Sequence, residues 1–382
     1  MHDSLIKKVL IIGGGVIGLS IARELHKGGV RKICLVEKGA CGQEASWAAG
    51  GMLGPQAEAD EDGSFFEMCS ASRDLYPELA AEMLDETGID IELDRNGTLY
   101  LAFTAEDLPE LRERFAWQRK AGFAIEYLTG DEIRQAEPFI SPDVREGLYF
   151  SQDWQVDNRK LLAALKRYAS LNGIEIIENT AVEKLIVEGS KVVGAETSGG
   201  VFHADKTVLA TGAWTSLIKL GESELPLKIE PVRGQIISFQ TAKRLFRHVM
   251  HSRRGYLVPR FDGRILTGST SEEVGFEKAN TEQAAAALRK MASEIAPLTA
   301  EMEIADRWSG LRPFAMDSMP VIGSFIGIDG LTIATAHYRN GILLAPLTAK
   351  AVASSFTDGT DSQYSTVFGP DRFRLRGIGT GK

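Results

Sequence analysis

Apolar positions along this chain fall into two kinds of pattern. The first is the short unbroken run closed by glycine or charge: "VLII" at 9–12, "ICLV" at 33–36 and "TVLA" at 207–210. Runs of that length without polar alternation predict strands buried on both faces, as in a parallel sheet. The second is helical spacing. It predicts a helix after the first strand, helices over 104–122, 157–172 and 281–296, and an apolar helix over 340–356. Residues 64–86 are also helical in period, with Pro77 expected to kink or divide them. Thr104 is a candidate cap for one helix, and Asp157 or Asn158 for another. Short strands are expected at 174–177, 182–189 and 191–198, and a strand-rich stretch at 228–270. A hairpin is expected around Asn96-Gly97. The "TVLA" strand is expected to enter a Thr-Gly turn and a helix.

The order of these elements gives an α/β core that the chain visits three times, with two more antiparallel excursions between visits. The expected division is 1–88, 144–222 and 303–382 for the core domain, and 89–143 with 223–302 for a second, sheet-rich domain.

Composition narrows the class. The chain has 382 residues, 44% hydrophobic and 25% charged, with a net charge of −9. An acidic chain without basic clusters argues against nucleic acid as a partner. The pairs Lys7-Lys8 and Arg253-Arg254 read as strand edges. Three cysteines, Cys34, Cys41 and Cys69, make no disulfide framework and suit a reducing cytosol, and no metal-ligand spacing occurs. Glycines break the apolar run after the first lysines before a signal-peptide core can form. No run reaches membrane-spanning length. A cytoplasmic protein without stable membrane association is expected.

The chemistry begins at Gly13-x-Gly15-x-x-Gly18, between a strand and a helix, with Glu37 closing the next strand. Gly13 permits the tight turn, Gly15 admits a pyrophosphate to the backbone, and Gly18 lets helix and strand pack closely. The helix N-terminus offers amides to phosphate, and Glu37 offers a carboxylate to ribose hydroxyls. The motif serves NAD and FAD alike, and the acid disfavours only a 2′-phosphate. The small-residue segment "SWAAGGML" (46–53) suits a flat tricyclic ring pressed on backbone. With the Thr-Gly turn near 211 and the glycine turn in "HYRNGILLAP", it favours a long cofactor held by several segments, as FAD would be.

One cation stands out. Arg312, in "DRWSGLRPFAMDSMPVIG", lies among apolar and small residues and must find an anion there. The anion is either a ligand's or an internal partner, Asp317 or Asp306. Tyr256, in "RGYLVPR", is either a hydroxyl donor at a site or a core tyrosine. If that segment is a strand, Arg254 shares its face, and then either enters the same pocket or turns to solvent.

Together these segments resemble the D-amino-acid oxidase superfamily of FAD-dependent amine oxidases, within it most closely the bacterial glycine oxidases of thiamine biosynthesis. The resemblance runs from "VLIIGGGVIGLSIARELHKGG" through "ASWAAGGMLGPQAE", "DWQVDNRKLLAAL", "VLATGAW", "PVRGQIISF" and "WSGLRPFAMDSMPVIG" to "HYRNGILLAP" and the tail "FGPDRFRL". It implies a two-domain α/β FAD-dependent oxidoreductase, a Rossmann-like FAD domain with an antiparallel-sheet substrate domain. It implies noncovalent FAD contacts at Gly13, Gly15, Val16, Ile17, Gly18, Glu37, Lys38, Ala45, Ser46, Gly50, Gly51, Met52 and Val182. Further contacts are implied along His337, Tyr338, Arg339, Asn340, Gly341, Ile342 and Leu343.

By the same resemblance Arg312 binds a substrate α-carboxylate, Tyr256 adds a hydroxyl donor, and Arg339 lies near the flavin as a substrate ligand, a stabiliser of reduced flavin or a structural arginine. The implied reaction is oxidative deamination of glycine or another small amino acid. Hydride passes to flavin N5, and the products are a 2-oxo acid (glyoxylate from glycine), ammonia and, from O₂, H₂O₂. No histidine is needed as a base, so His251 and His337 are expected outside the chemistry. The competing readings are an oxidase of sarcosine, another N-methyl amino acid or a small D-amino acid, a quinone-linked dehydrogenase, and a non-enzymatic flavoprotein. A homo-oligomer, tetramer or dimer, is also implied.

Overall fold

The computed structural model of the chain describes residues 8–357, 359 and 362–375. Lys7 of the first basic pair, the ends of the outermost domain segments and the side chains of Arg374 and Leu375 in the tail lie outside them.

The unbroken apolar runs form a six-stranded sheet in the order Val321–Gly323, Leu331–Thr335, Lys206–Leu209, Val9–Ile12, Ile33–Val36, Glu175–Ile177. All neighbours are parallel except the Val321–Gly323 edge. Both faces are covered, which is why the runs do not alternate. Val9, Ile11 and Leu35 point into a core shared with helices Val16–Lys27, Asn158–Leu171 and Gly341–Thr357. Their neighbours Leu10, Ile12, Cys34 and Val36 pack against Leu185, Val192 and Ala195 of a five-stranded sheet on the other side.

A second large sheet has eight strands: Asp306–Phe314, Glu230–Gln240, Arg264–Gly268, Gly255–Pro259, Val249–Ser252, Thr98–Ala102, Glu146–Phe150 and Glu126–Thr129. It is antiparallel except where Val249–Ser252 runs beside Thr98–Ala102. One face buries Ile237, Phe239, Leu257 and Ile265 under helix Glu282–Ile295. From the other face Ile236, Tyr256, Val258 and Trp308 meet Ala48 of the small-residue segment. That contact brings the two large sheets together around the site.

Local signals held where the relevant contact is local. Pro77 divides the 64–86 stretch into Ser64–Asp74 and Tyr76–Thr87 and occupies the first turn of the second helix. Asp157 caps Asn158–Leu171 through the amides of Arg159 and Lys160. The turn after Lys206–Leu209 continues as a 3₁₀ helix, Gly212–Leu217.

Two local expectations failed. There is no hairpin at Asn96-Gly97. Asp94 exchanges backbone hydrogen bonds with Gln155, and its carboxylate accepts from the Asn96 amide and Gln155 Nε2. The chain before Gly97 is thereby drawn away from Thr98–Ala102. Thr104 is not a cap either. The helix begins at Leu108 after Asp107, whose carboxylate accepts from the amides of Phe103 and Thr104.

All three cysteines are buried free thiols. Among the described residues no helix is long and apolar enough to cross a membrane.

Candidate active site

The glycine loop is shaped by what its missing side chains would strike. Gly13 has φ +108°, and a Cβ there would lie 2.4 Å from the Ala210 carbonyl oxygen of the neighbouring strand. At Gly18 a Cβ would lie 2.0 Å from the Gly13 carbonyl oxygen, so only glycine lets the helix seat against the loop. Gly15 precedes helix Val16–Lys27, and the Val16 amide donates to Ser46 Oγ at 3.0 Å. Glu37 is buried, and its two oxygens accept from the amides of Gly14 (2.7 Å) and Gly39 (3.1 Å). Each oxygen keeps a lone pair for a ligand hydroxyl.

The small-residue segment is held by a buried cation. Arg260 donates to the carbonyls of Gly50 (2.9 Å) and Val156 (2.6 Å) and to the side chains of Gln155 and Asn158. Burial pushes its pKa down to about 10, opposed by nearby Asp157. Asn158 Nδ2 donates to the carbonyls of Ser46 and Trp47, and Trp308 Nε1 donates to that of Ala48. Gly51 has φ +70°, and a Cβ there would lie 2.1 Å from the Val156 carbonyl oxygen. The segment therefore shows mostly backbone and small side chains to the cavity beside it.

The third wall is the turn before helix Gly341–Thr357. Ala336 (φ +57°) and Tyr338 (φ +47°) are both left-handed, a conformation that costs a non-glycine residue on the order of 1 kcal/mol and concentrates at functional sites. Between them His337 is buried and bonded through Nε2 to Thr348 Oγ1 at 3.0 Å. Burial pushes its pKa down to about 3, so it is neutral.

These walls enclose a cavity of about 360 Å³. Arg312, Tyr256 and Arg339 all line it. Arg312 projects from the strand Asp306–Phe314, where it faces Val232 across the strand pair. It donates to the Thr270 carbonyl (3.1 Å) and to Ser269 Oγ (2.7 Å) and forms no ion pair with a described carboxylate. Asp317 is bonded to Arg372 instead, and Asp306 is exposed, which removes both internal partners considered for Arg312. Burial lowers the Arg312 pKa, with Tyr256, Arg339, Tyr338 and Glu58 near enough to influence it. The Tyr256 hydroxyl bonds to no described residue, and the Tyr256 ring packs near Gly50. Arg339 is committed: its Nη2 donates to Glu58 Oε1 at 2.9 Å.

Arg254 does not enter. It turns to Asp107 (3.3 Å) and Glu294 (3.7 Å). His251 is buried against the rings of Tyr100 and Tyr256 and is not among the lining residues. Two cofactor residues expected from the resemblance lie behind the wall. Gly18 acts through its contact with Gly13, and Leu343 is buried in the helix core with its carbonyl accepting from Ser72 Oγ. All the others line the cavity, among them Lys38, Ala45, Met52, Val182, Asn340 and Ile342.

Residues not anticipated from the sequence include Glu58, Gly234, Ser269 and Gly310. A Cβ on Gly234 would lie 2.2 Å from Arg312 Nη2, and Gly310, its partner across the strands, would press 2.7 Å onto the Ala48 Cβ. A glycine inside an apolar strand signals such close approach, and "VRGQIISF" carried that signal.

The arrangement fits FAD. A Cβ-intolerant loop, a helix N-terminus and a buried carboxylate meet a dinucleotide at one end, and open backbone meets a flat ring at the other. Gly13, Gly15, Val16 and Glu37 would hold the former, Gly50 to Met52 and the 337–342 turn the latter.

Comparison with known proteins agrees. The model of the FAD dependent oxidoreductase family (DAO) matches residues 8–355. The chain is similar to a glycine oxidase of Pseudomonas aeruginosa, 38% identical over 91% of this chain and 94% of that protein. It is also similar to the bifunctional protein ThiO/ThiG of Synechocystis, 36% identical over 96% of this chain and 54% of that protein. The crystal structure of glycine oxidase from Geobacillus kaustophilus superimposes with a TM-score of 0.89 at 33% identity, covering 95% of this chain and 98% of that one.

Proposed function

The chain belongs to the FAD dependent oxidoreductase family, and on that premise we propose that it is an amino-acid oxidase whose substrate is glycine. One observation carries the reading. Arg312 presents a guanidinium to the cavity with no carboxylate of the described residues on it, beside a tyrosine hydroxyl that has no partner among them. Two of the five Arg312 N–H donors are used by Ser269 and Thr270, which leaves three for a substrate carboxylate. Tyr256 adds an O–H donor. A carboxylate taken between them is fixed in orientation as well as in charge, which is positioning catalysis.

FAD, when bound, supplies the two-electron oxidant. The substrate loses two electrons and two protons to become an imino acid, and water converts this to glyoxylate and ammonia. O₂ ends as H₂O₂. Among the described lining residues no histidine is suited to act as base, since burial makes His337 only weakly basic and its Nε2 is tied to Thr348. The relatives named glycine oxidase support glycine over larger amino acids. Cytoplasmic location and a homo-oligomer belong to this reading, and light scattering of the purified protein checks the second.

The two-domain division is part of it as well. Strands Glu146–Phe150 and Asp306–Phe314 both belong to the eight-stranded sheet, which supports counting both with the substrate domain, beyond the sequence-derived boundaries. H₂O₂ release is the test, with glycine, sarcosine, D-alanine, D-proline and D-aspartate offered in turn. Glycine is expected to give the highest kcat/KM. Sarcosine or a D-amino acid leading by tenfold or more would replace the substrate, and no turnover of any would remove the reading.

A further inference from the structure

Three cations line the cavity: Lys38, Arg312 and Arg339. Lys38 is paired with Glu44 (3.3 Å) and lies over the Trp214 ring. Arg339 is paired with Glu58 (2.9 Å). Among the described lining residues, Arg312 alone carries a positive charge without a carboxylate on it.

The Glu58–Arg339 pair is built into the fold. Glu58 ends the short helix Pro55–Glu58, which is anchored at both ends from beneath. Buried Asp153 accepts from the amides of Gln56 (3.1 Å) and Ala57 (2.8 Å). Buried Arg114 donates to the carbonyls of Gln56 and Ala59. The Glu58 side chain is only 13% exposed, so its carboxylate is held at the cavity wall. Arg339 comes from the strained 336–341 turn and meets it there.

We propose that Glu58 sets the charge specificity of the site: by occupying Arg339 it leaves one guanidinium for one carboxylate, so the cavity takes monocarboxylic amino acids and refuses dicarboxylic ones. A second substrate carboxylate would meet a guanidinium already neutralised, with its side chain 46% exposed, and the Glu58 charge itself. Like-charge repulsion, with no free cation there to offset it, acts against it. The inference rests on the amino-acid oxidase reading and names its substrate class.

Glu58→Gln is isosteric and removes the charge, which frees Arg339. The ratio of kcat/KM for a dicarboxylic substrate (iminodiacetate and D-aspartate) to that for glycine is expected to rise about tenfold or more. The double variant Glu58→Gln/Arg339→Gln, neutral again, is expected to return the ratio to near the wild-type value. A merely structural Glu58 predicts no such return. An unchanged ratio in Glu58→Gln, or a raised ratio that persists in the double variant, overturns the proposal.

Binding gives a readout that does not need turnover. Calorimetry on the wild-type holoprotein should show malonate binding about tenfold more weakly than acetate, and Glu58→Gln should close that gap. Equal wild-type affinities also overturn the proposal, even if Glu58→Gln fails to retain its cofactor. If the wild-type protein turns over no amino acid while the acetate preference holds, the reaction assignment has failed and the charge assignment has not.

Discussion

The two ends of the cavity recognise their ligands by opposite means. The dinucleotide end works mainly with backbone: amides at a helix N-terminus and glycines whose Cβ atoms would collide with main chain, with the Glu37 carboxylate fixed by two backbone amides. The substrate end works with side chains carried on an antiparallel sheet: Arg312, Tyr256 and the Glu58–Arg339 pair. A backbone site fails outright when one atom is added, because neighbouring main chain cannot yield. A side-chain site loses affinity in steps, because the cofactor and the fold remain when one group is removed. The reach of a mutation therefore reports which end it touches.

The largest effect is expected at the backbone end. Gly18→Val would place side-chain atoms where the Gly13 carbonyl stands, and the protein should be isolated without flavin absorbance and with a lowered Tm. A yellow, fully stable Gly18→Val would break the distinction.

At the substrate end Arg312→Ala should keep FAD while kcat/KM for glycine falls on the order of 10²–10³, roughly 3–4 kcal/mol for a desolvated charge-assisted contact. Loss of FAD in that variant would mean that the two ends are not separable.

A third test uses pH. His251, buried against Tyr100 and Tyr256, has its pKa pushed down by burial to about 4. Between pH 6.5 and 4 the unfolded chain binds the proton more readily than the folded one. Stability is therefore present above the unfolded pKa and falls as pH drops through this window, by about 2 kcal/mol from this group at pH 5. In His251→Phe the loss of stability from pH 7 to pH 5, measured by urea titration, should shrink by that amount. An unchanged loss would show that the histidine is not held neutral.

The smallest effect sharpens the comparison, because it concerns a glycine at the side-chain end. Gly234→Ala should displace Arg312 and lower kcat/KM about tenfold with FAD retained. In an Arg312→Ala background the same change should cost almost nothing. Additive losses would show that Gly234 does not act through Arg312.

The same contrast explains what the sequence disclosed. The dinucleotide end is a local device, in which Gly13, Gly15, Gly18 and Glu37 belong to one strand–turn–helix–strand unit and their spacing carries the geometry. Arg312 was visible because its immediate neighbours offer it no anion. Glu58 was not, because its partner is 281 positions away and in "PQAEADED" it stands as one acid among several. Arg254 looked competent from strand alternation, but Asp107 and Glu294, both distant in sequence, turn it aside. The hairpin at Asn96-Gly97 failed for the same kind of reason, since Gln155 captures Asp94.

Anaerobic addition of glycine to the purified yellow protein, followed by visible absorbance, tests most directly whether Arg312 holds a small amino acid against the cofactor. Rapid loss of the yellow colour in the wild type, slowed at least a hundredfold in Arg312→Ala at the same subsaturating glycine, is the predicted result. Colour that persists in the wild type, or bleaches equally fast in both, would contradict it.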